Sequence, residues 1–239
     1  MFFYINLKSD NELKLKKNKG FTLAEVLVTL VVIGVVAALC IPALIQNTQQ
    51  AQYKSALKEN NAVLSAALQR YMSDNAGSLS GTFIDANSFK NNITQYLNIL
   101  KDCNGAGLGN GWASSSNYMN GSANMSTWDT FTSLNEPTIQ LPNGSSVHFY
   151  YSTHGSTTCS SNFSADSLNN NICLSILVDV NGINPPNILG VDIFRFMITA
   201  NGILIPYGSS TTKATYQPSA DCAPSGSGAG CTASFLMNN

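Results

Sequence analysis

The chain has 239 residues, of which only 10% are Asp, Glu, Lys or Arg, and its formal net charge is −1. Soluble domains average roughly a quarter charged residues, so charge is scarce here, yet 44% hydrophobic residues can build a core. The balance argues against a strongly basic nucleic-acid binder, an acidic disordered tail and, with a single long apolar run, a polytopic membrane protein.

The average hides an asymmetry. Residues 1–20 carry five lysines (Lys8, Lys14, Lys16, Lys17, Lys19) against Asp10 and Glu12, a formal +3; residues 21–239 carry −4. From Val26 to Ile45 no residue is charged. Twenty helical residues span a hydrocarbon core of about 30 Å, and the run lacks the polar face of a globular surface helix. Lysines before it place the N-terminus in the cytoplasm and the body outside. An ordinary cleaved signal has an apolar stretch of only about 7–15 residues, and a lipoprotein signal fails because Leu39, not a small residue, precedes Cys40.

The residues before the run favour a third reading, a cut ahead of the helix. They read Lys16-Lys17-Asn18-Lys19-Gly20-Phe21-Thr22-Leu23-Ala24-Glu25. This stretch resembles the prepilin signal of type IV pilins and of type II secretion pseudopilins: basic residues, Gly, Phe, a Thr-Leu pair, then Glu at the fifth mature position. Pro42 matches the family's helix-bending proline. The resemblance implies cleavage between Gly20 and Phe21 by a membrane-embedded prepilin peptidase, followed by N-methylation of Phe21. Glycine before the bond lets the backbone enter a tight protease site without a Cβ clash. A carboxylate in a membrane segment needs a partner. Glu25 lies four residues after Phe21, on the same helix face, and the family's assembly pairs it with a neighbour's N-terminal amine.

Beyond Ile45, Tyr53, Leu57, Leu64, Leu68 and Tyr71 form a helical stripe, with Asn60 among the polar residues between them. The spacing predicts one helix from about Thr22 to Met72, roughly 75 Å long, bent at Pro42 and ended by Asp74-Asn75-Ala76-Gly77. The stripe is read as the face that meets a sheet, with a coiled-coil seam as the alternative. A second helix is expected from Asn87 to about Leu100, capped by Asp85 or Asn87. Residues 103–126 read as an exposed Gly/Ser/Asn loop carrying Trp112, and its glycines match no phosphate-binding fingerprint. Strands are expected at 138–141, 146–151, 172–180, 192–199 and 203–207, the first pair joined by Asn143-Gly144. The expected fold is α+β: a long N-terminal helix, its first half in the membrane, packed on a C-terminal antiparallel sheet. This layout matches the pilin fold. The expected divisions are a leader (1–20), a transmembrane and assembly helix (21–45), its amphipathic continuation (46–75) and an extracytoplasmic domain (76–239).

Six cysteines are present. Cys40 falls in the membrane helix, and the other five lie in an oxidising compartment by topology. Cys159 and Cys173 bracket a polar loop as a natural pair, leaving Cys103 over. Cys222–Cys231 resembles the C-terminal disulfide loop of many pilins. A zinc set of His148, His154, Cys159 and Cys173 matches no standard spacing. The segment 179–192 gathers Asp179, Asn181 and Asp192 among turn residues. Two readings stay open: an Asx-stabilised turn, or Ca²⁺ held by those three side chains, as some pseudopilins hold calcium in a loop of this region. No other cofactor is expected, and no nucleophile–base pair for catalysis is found.

The resemblance therefore implies a structural filament subunit. Its partners are other pilin or pseudopilin subunits, the prepilin peptidase, the inner-membrane assembly machinery and, before assembly, lipid. A pilus and a secretion pseudopilus both fit. The alternative is a tip-located or surface-anchored adhesin; Trp112, Trp128, Tyr150 and Tyr151 could form its surface, but are read first as packing the core or subunit contacts.

Overall fold

The computed structural model describes residues 20–103, 111–122, 137–150, 159, 171–209 and 221–237. It divides into two units, Met1–Asn47 and Thr48–Asn239. Helix α1 (Leu23–Asp74, 52 residues) begins in the first and ends in the second. Helical structure continues through Pro42.

In the first unit the apolar side chains are exposed all round, Leu39 at 74% and Leu44 at 67%. Among the described residues, α1 alone is long and apolar enough to cross a membrane.

In the second unit α1 buries Leu57, Leu64, Ala67, Leu68 and Tyr71; of the predicted stripe only Tyr53 is merely half-buried. Each of the three leucines contributes roughly 1.5–3 kcal/mol when fully buried. The helix stops where Ala76 and Gly77 both take positive φ (55° and 80°), and Gly77 N donates back to Met72 O at 3.0 Å. A carbonyl left open at the helix end is thus satisfied.

Helix α2 is shorter than expected, Ala86–Ile93, followed by a 3₁₀ turn at Thr94–Tyr96. Asp85 caps it. Ser88 N donates to Asp85 Oδ1 at 2.6 Å and Asp85 N to Ser88 Oγ at 2.9 Å, a reciprocal capping box. Leu100, the expected end of this helix, is 68% exposed because the helix stops before reaching it.

Six strands form one antiparallel meander in chain order: β1 (Lys101–Asp102), β2 (Thr138–Gln140), β3 (Ser146–Tyr150), β4 (Ile172–Asp179), β5 (Ile193–Thr199) and β6 (Leu204–Pro206). β1 carries no periodicity and was not predicted; beside it, Lys90 Nζ of α2 meets Asp102 Oδ2 at 2.5 Å. Side chains alternate across the sheet. Val147, Phe149, Ile176, Val178, Phe194 and Phe196 join the α1 stripe and α2 in the main core. Tyr150, Leu177, Ile193 and Met197 point the other way, into a second cluster with Trp112. Trp112 is 1% exposed, so the segment carrying it is not the surface loop expected. The layout is the α+β one, a long helix followed by an antiparallel sheet, and it is pilin-like.

Asn60 also departs from expectation: it is wholly buried. Its Nδ2 donates to Ser145 Oγ at 2.8 Å, and Asn143 Nδ2 donates to its Oδ1 at 2.8 Å. Helix and β2–β3 turn are thereby held in one register. Asn60→Ala leaves Ser145 and Asn143 short of partners inside the protein. Chemical denaturation is expected to show a loss of about 1–3 kcal/mol, and an unchanged midpoint would mean that water replaces these bonds.

Candidate functional site

Three local arrangements hold the predicted site residues. The first is the start of α1. Gly20, Phe21 and Glu25 are exposed there, while residues 1–19 lie outside the described ones. Thr22 N and Thr22 Oγ1 each donate to Glu25 Oε2 at 2.8 Å, and Glu25 N donates to Thr22 Oγ1 at 3.2 Å. Thr22-Leu23-Ala24-Glu25 is thus a capping box, with Glu25 at the third helical position. The Thr22-Leu23-Ala24-Glu25 spacing carries the signature of this box in the sequence itself. It fixes the Glu25 carboxylate over the first turn, where the helix dipole favours negative charge. Pro42 lies far along the same helix.

The second arrangement is the β4–β5 loop. Asp179 ends β4, Asp192 directly precedes β5, and Val180 N closes the loop onto Asp192 O at 2.9 Å. Both carboxylates are fully buried. Asn187 N and Ile188 N donate to Asp192 Oδ2 and Oδ1 at 2.8 and 2.6 Å; Asn181 N donates to Asp179 Oδ1 at 3.2 Å. Burial, then the neighbouring Asp192 carboxylate, push Asp179 up to about 9. Burial also raises Asp192, against the amides that lower it.

Oxygen atoms collect around this pair. Asn181 Oδ1 is buried with no hydrogen-bond partner, while its Nδ2 donates to Asn184 O and Pro185 O at 3.0 and 3.1 Å. One end of the Asn187 amide faces Asn184 O at 3.1 Å and Asp179 Oδ2 at 3.2 Å. Turned as a donor, that amide bonds both; turned as an acceptor, it brings three oxygens together, as a hard cation requires. Asn187 and the Asn184 carbonyl therefore extend the predicted set of Asp179, Asn181 and Asp192. The backbone carbonyl has no sequence signature. Among the described residues no group of three or more His, Cys, Asp or Glu is placed to hold a metal, so amide and carbonyl oxygens would complete any such site.

Gly182 shapes the loop. Its φ is +70°, and a Cβ there would stand 2.5 Å from Gly144 O, so the β2–β3 turn packs on it directly. An open cavity of about 330 Å³ lies alongside, lined by Gln52, Tyr53, Asn143, Gly144, Asn181 and Asn184 among others.

The third arrangement is the C-terminal loop. Cys222 and Cys231 are bonded, as are Cys159 and Cys173, so neither Cys159 nor Cys173 offers a zinc ligand. His154, Trp128 and Tyr151 lie outside the described residues. Asp221 Oδ1 accepts from Ser227 Oγ at 2.6 Å and from Ser227 N at 3.1 Å, and its Oδ2 accepts from Gly230 N. After the loop comes a helix that was not predicted, α3 (Cys231–Met237), whose Phe235 packs on Phe194 at 5.0 Å between ring centroids. Cys103 is a free, buried thiol whose ionisation burial disfavours; Cys40 is free and exposed.

Comparison with known proteins bears on the first arrangement. A family model, the prokaryotic N-terminal methylation motif, matches residues 15–41. The chain is also similar to type II secretion system core protein G of Escherichia coli K12, at 42% identity over 59 residues, 25% of this chain and 40% of that protein. The protein of the same name from Vibrio cholerae serotype O1 is 38% identical over 63 residues, 26% and 42% of the two chains. The chain spans about two fifths of the length of the curated relatives it matches. No solved structure matches it. The resemblance to pilins and pseudopilins seen in the residues is thus shared by the motif model and by these relatives.

Proposed function

We propose that this chain is a structural subunit, a pilin or pseudopilin, that assembles through α1 into a type IV pilus-like or type II secretion filament. Prepilin peptidase cuts between Gly20 and Phe21, the new Phe21 amine is methylated, and the chain waits in the inner membrane with its body outside. The observation that carries this reading is the coincidence of the methylation motif at 15–41 with the start of an exposed apolar helix of membrane length. Type II secretion is favoured over a pilus only by the similarity to two type II secretion system core proteins.

In this reading the Thr22 cap holds Glu25 through Oε2, and the Glu25 carboxylate pairs with the Phe21 ammonium of the adjacent subunit in a water-poor filament core. Such a pair matters because a lone carboxylate in lipid is costly. Glu25→Ala is expected to leave cleavage and folding intact while reducing the subunit in sheared or cross-linked filaments at least about tenfold, the factor for ~1.4 kcal/mol per contact. Normal incorporation of that variant would overturn the pairing.

The reading extends to calcium at the β4–β5 loop. Asp179, Asp192, Asn181 and Asn187 supply hard oxygen donors, and a bound divalent ion would favour the ionised form of Asp179, which burial and Asp192 otherwise hold protonated at neutral pH. The orphaned Asn181 Oδ1 supports this assignment. The role is structural: the ion stiffens a loop and performs no chemistry.

A further inference from the structure

Where α1 passes the β2–β3 turn and the β4–β5 loop, the three enclose an open cavity of about 330 Å³. Gln52 and Tyr53 line it from the helix, Asn143 from the turn, Asn181 and Asn184 from the loop, and every described residue in its lining is uncharged. Its walls are fixed by bonds among themselves. Asn143 Nδ2 donates to Asn60 Oδ1 of α1 at 2.8 Å, and Asn143 Oδ1 accepts from Ser145 N at 3.1 Å. Within the loop, Asn184 Nδ2 donates to Asn181 O at 2.8 Å and Asn181 Nδ2 to Asn184 O at 3.0 Å. Asn181 Nδ2 also donates to the Tyr53 hydroxyl at 3.4 Å, joining loop to helix. A site held in place before binding loses little to ordering.

Those bonds leave particular groups over. Among the described residues the Gln52 amide has no partner in the protein, the Tyr53 hydroxyl accepts a bond without donating its own proton, and Asn184 Oδ1 accepts nothing. All three can be reached: Gln52 and Asn184 are exposed and Tyr53 is half-buried. The free set is therefore mixed, with a donor and an acceptor on Gln52, a donor on Tyr53 and an acceptor on Asn184.

An ion of either sign would enter this cavity without a counter-charge in its lining, which disfavours charged ligands. A hydroxyl both donates and accepts, so a ring bearing neighbouring hydroxyls answers a mixed set of this kind, and its C–H face suits the flat Tyr53 ring. The volume is at the lower end for small-molecule sites, the size of one sugar ring. We propose that the cavity between α1, the β2–β3 turn and the β4–β5 loop is a binding site for a neutral monosaccharide, held by Gln52, Tyr53 and Asn184. The site goes beyond the filament role and does not depend on calcium.

Glucose, galactose and N-acetylglucosamine are the probes, with N-acetylglycinamide standing for a peptide segment. Each is titrated into the full-length protein in a zwitterionic detergent without a sugar headgroup, and binding is read by saturation-transfer difference NMR. Excess calcium chelator is present, so the result stands whether or not the β4–β5 loop binds calcium. At least one sugar is expected to saturate with a dissociation constant on the order of 1–10 mM, unchanged by added salt because no charge is involved. Gln52→Ala, which removes an exposed side chain with no bond to the protein, should weaken binding about three- to tenfold, the worth of one or two neutral hydrogen bonds. Tyr53→Phe, which removes only the hydroxyl, should weaken it by a similar factor; should that variant fold poorly, Gln52→Ala decides alone. No saturable signal from any of the three sugars up to roughly 100 mM, or wild-type binding by Gln52→Ala, overturns the proposal. So does N-acetylglycinamide binding more tightly than every sugar, since the cavity would then receive a peptide.

Discussion

Gly20→Val is expected to leave the chain uncut. In cells holding the peptidase, the variant should accumulate at full length, heavier than the mature form by residues 1–20, with maturation slowed at least about tenfold. That factor corresponds to only ~1.4 kcal/mol of added barrier, less than a forced Cβ clash inside a tight protease site. The structure makes the experiment clean. Gly20 is exposed, and a Cβ built there would find no atom within 4 Å. Substitution therefore costs the folded protein nothing, and any effect belongs to recognition by the peptidase. An unchanged Tm alongside blocked maturation is the expected pair of results. Mass spectrometry of the wild-type mature chain should find Phe21 first and one methyl added. Maturation of Gly20→Val at the wild-type rate would move the cut elsewhere.

The second large effect concerns the β4–β5 loop. Calcium at 100 times its dissociation constant is expected to raise Tm by roughly 5–10 °C over the chelated protein, since a ligand at that excess adds ~2.7 kcal/mol. Asp179→Asn should lose most of that response. The same change should leave the chelated protein at pH 7 about as stable, because Asp179, pushed up to about 9, is there a neutral carboxyl and a neutral amide of the same shape replaces it. This contrast separates a metal site from an Asx turn. If Asp179 only caps Asn181 N at 3.2 Å, Asn can still accept that bond, and neither protein responds to calcium. Identical melting of the wild type in calcium and chelator would end the calcium reading.

Much of this was legible along the chain, for a physical reason. The methylation motif is a local run of side chains, so the order of residues is itself the recognisable element. The apolar run announces its helix because lipid demands an all-apolar surface. The Leu57, Leu64, Leu68, Tyr71 stripe appears because a helix buries one face at a fixed period. Asp85 and Asn143-Gly144 mark a helix start and a hairpin through bonds that span three or four residues.

Elsewhere the determinants are distant neighbours. Asn60 looks like a solvated polar residue until a turn 85 positions later supplies Ser145. Trp112 sits in a glycine-rich stretch and is buried by sheet residues that composition does not reveal. β1 exists as the partner of β2, its second residue held beside α2 by Lys90. In α3 seven residues suffice because Phe235 lands on Phe194.

The low charge of the chain acquires its meaning at this level. The order of residues already shows where charge is absent: a basic N-terminal stretch, an uncharged apolar helix begun by Glu25, and a polar, sparsely charged body. Only the tertiary structure decided what the few remaining charges face. It buries Asp179 beside Asp192 and sets Arg195 against the rings of Tyr150 and Tyr207. The spacing along the chain marks the two strands and the loop between them, but which face each side chain meets follows from the packing of the folded sheet.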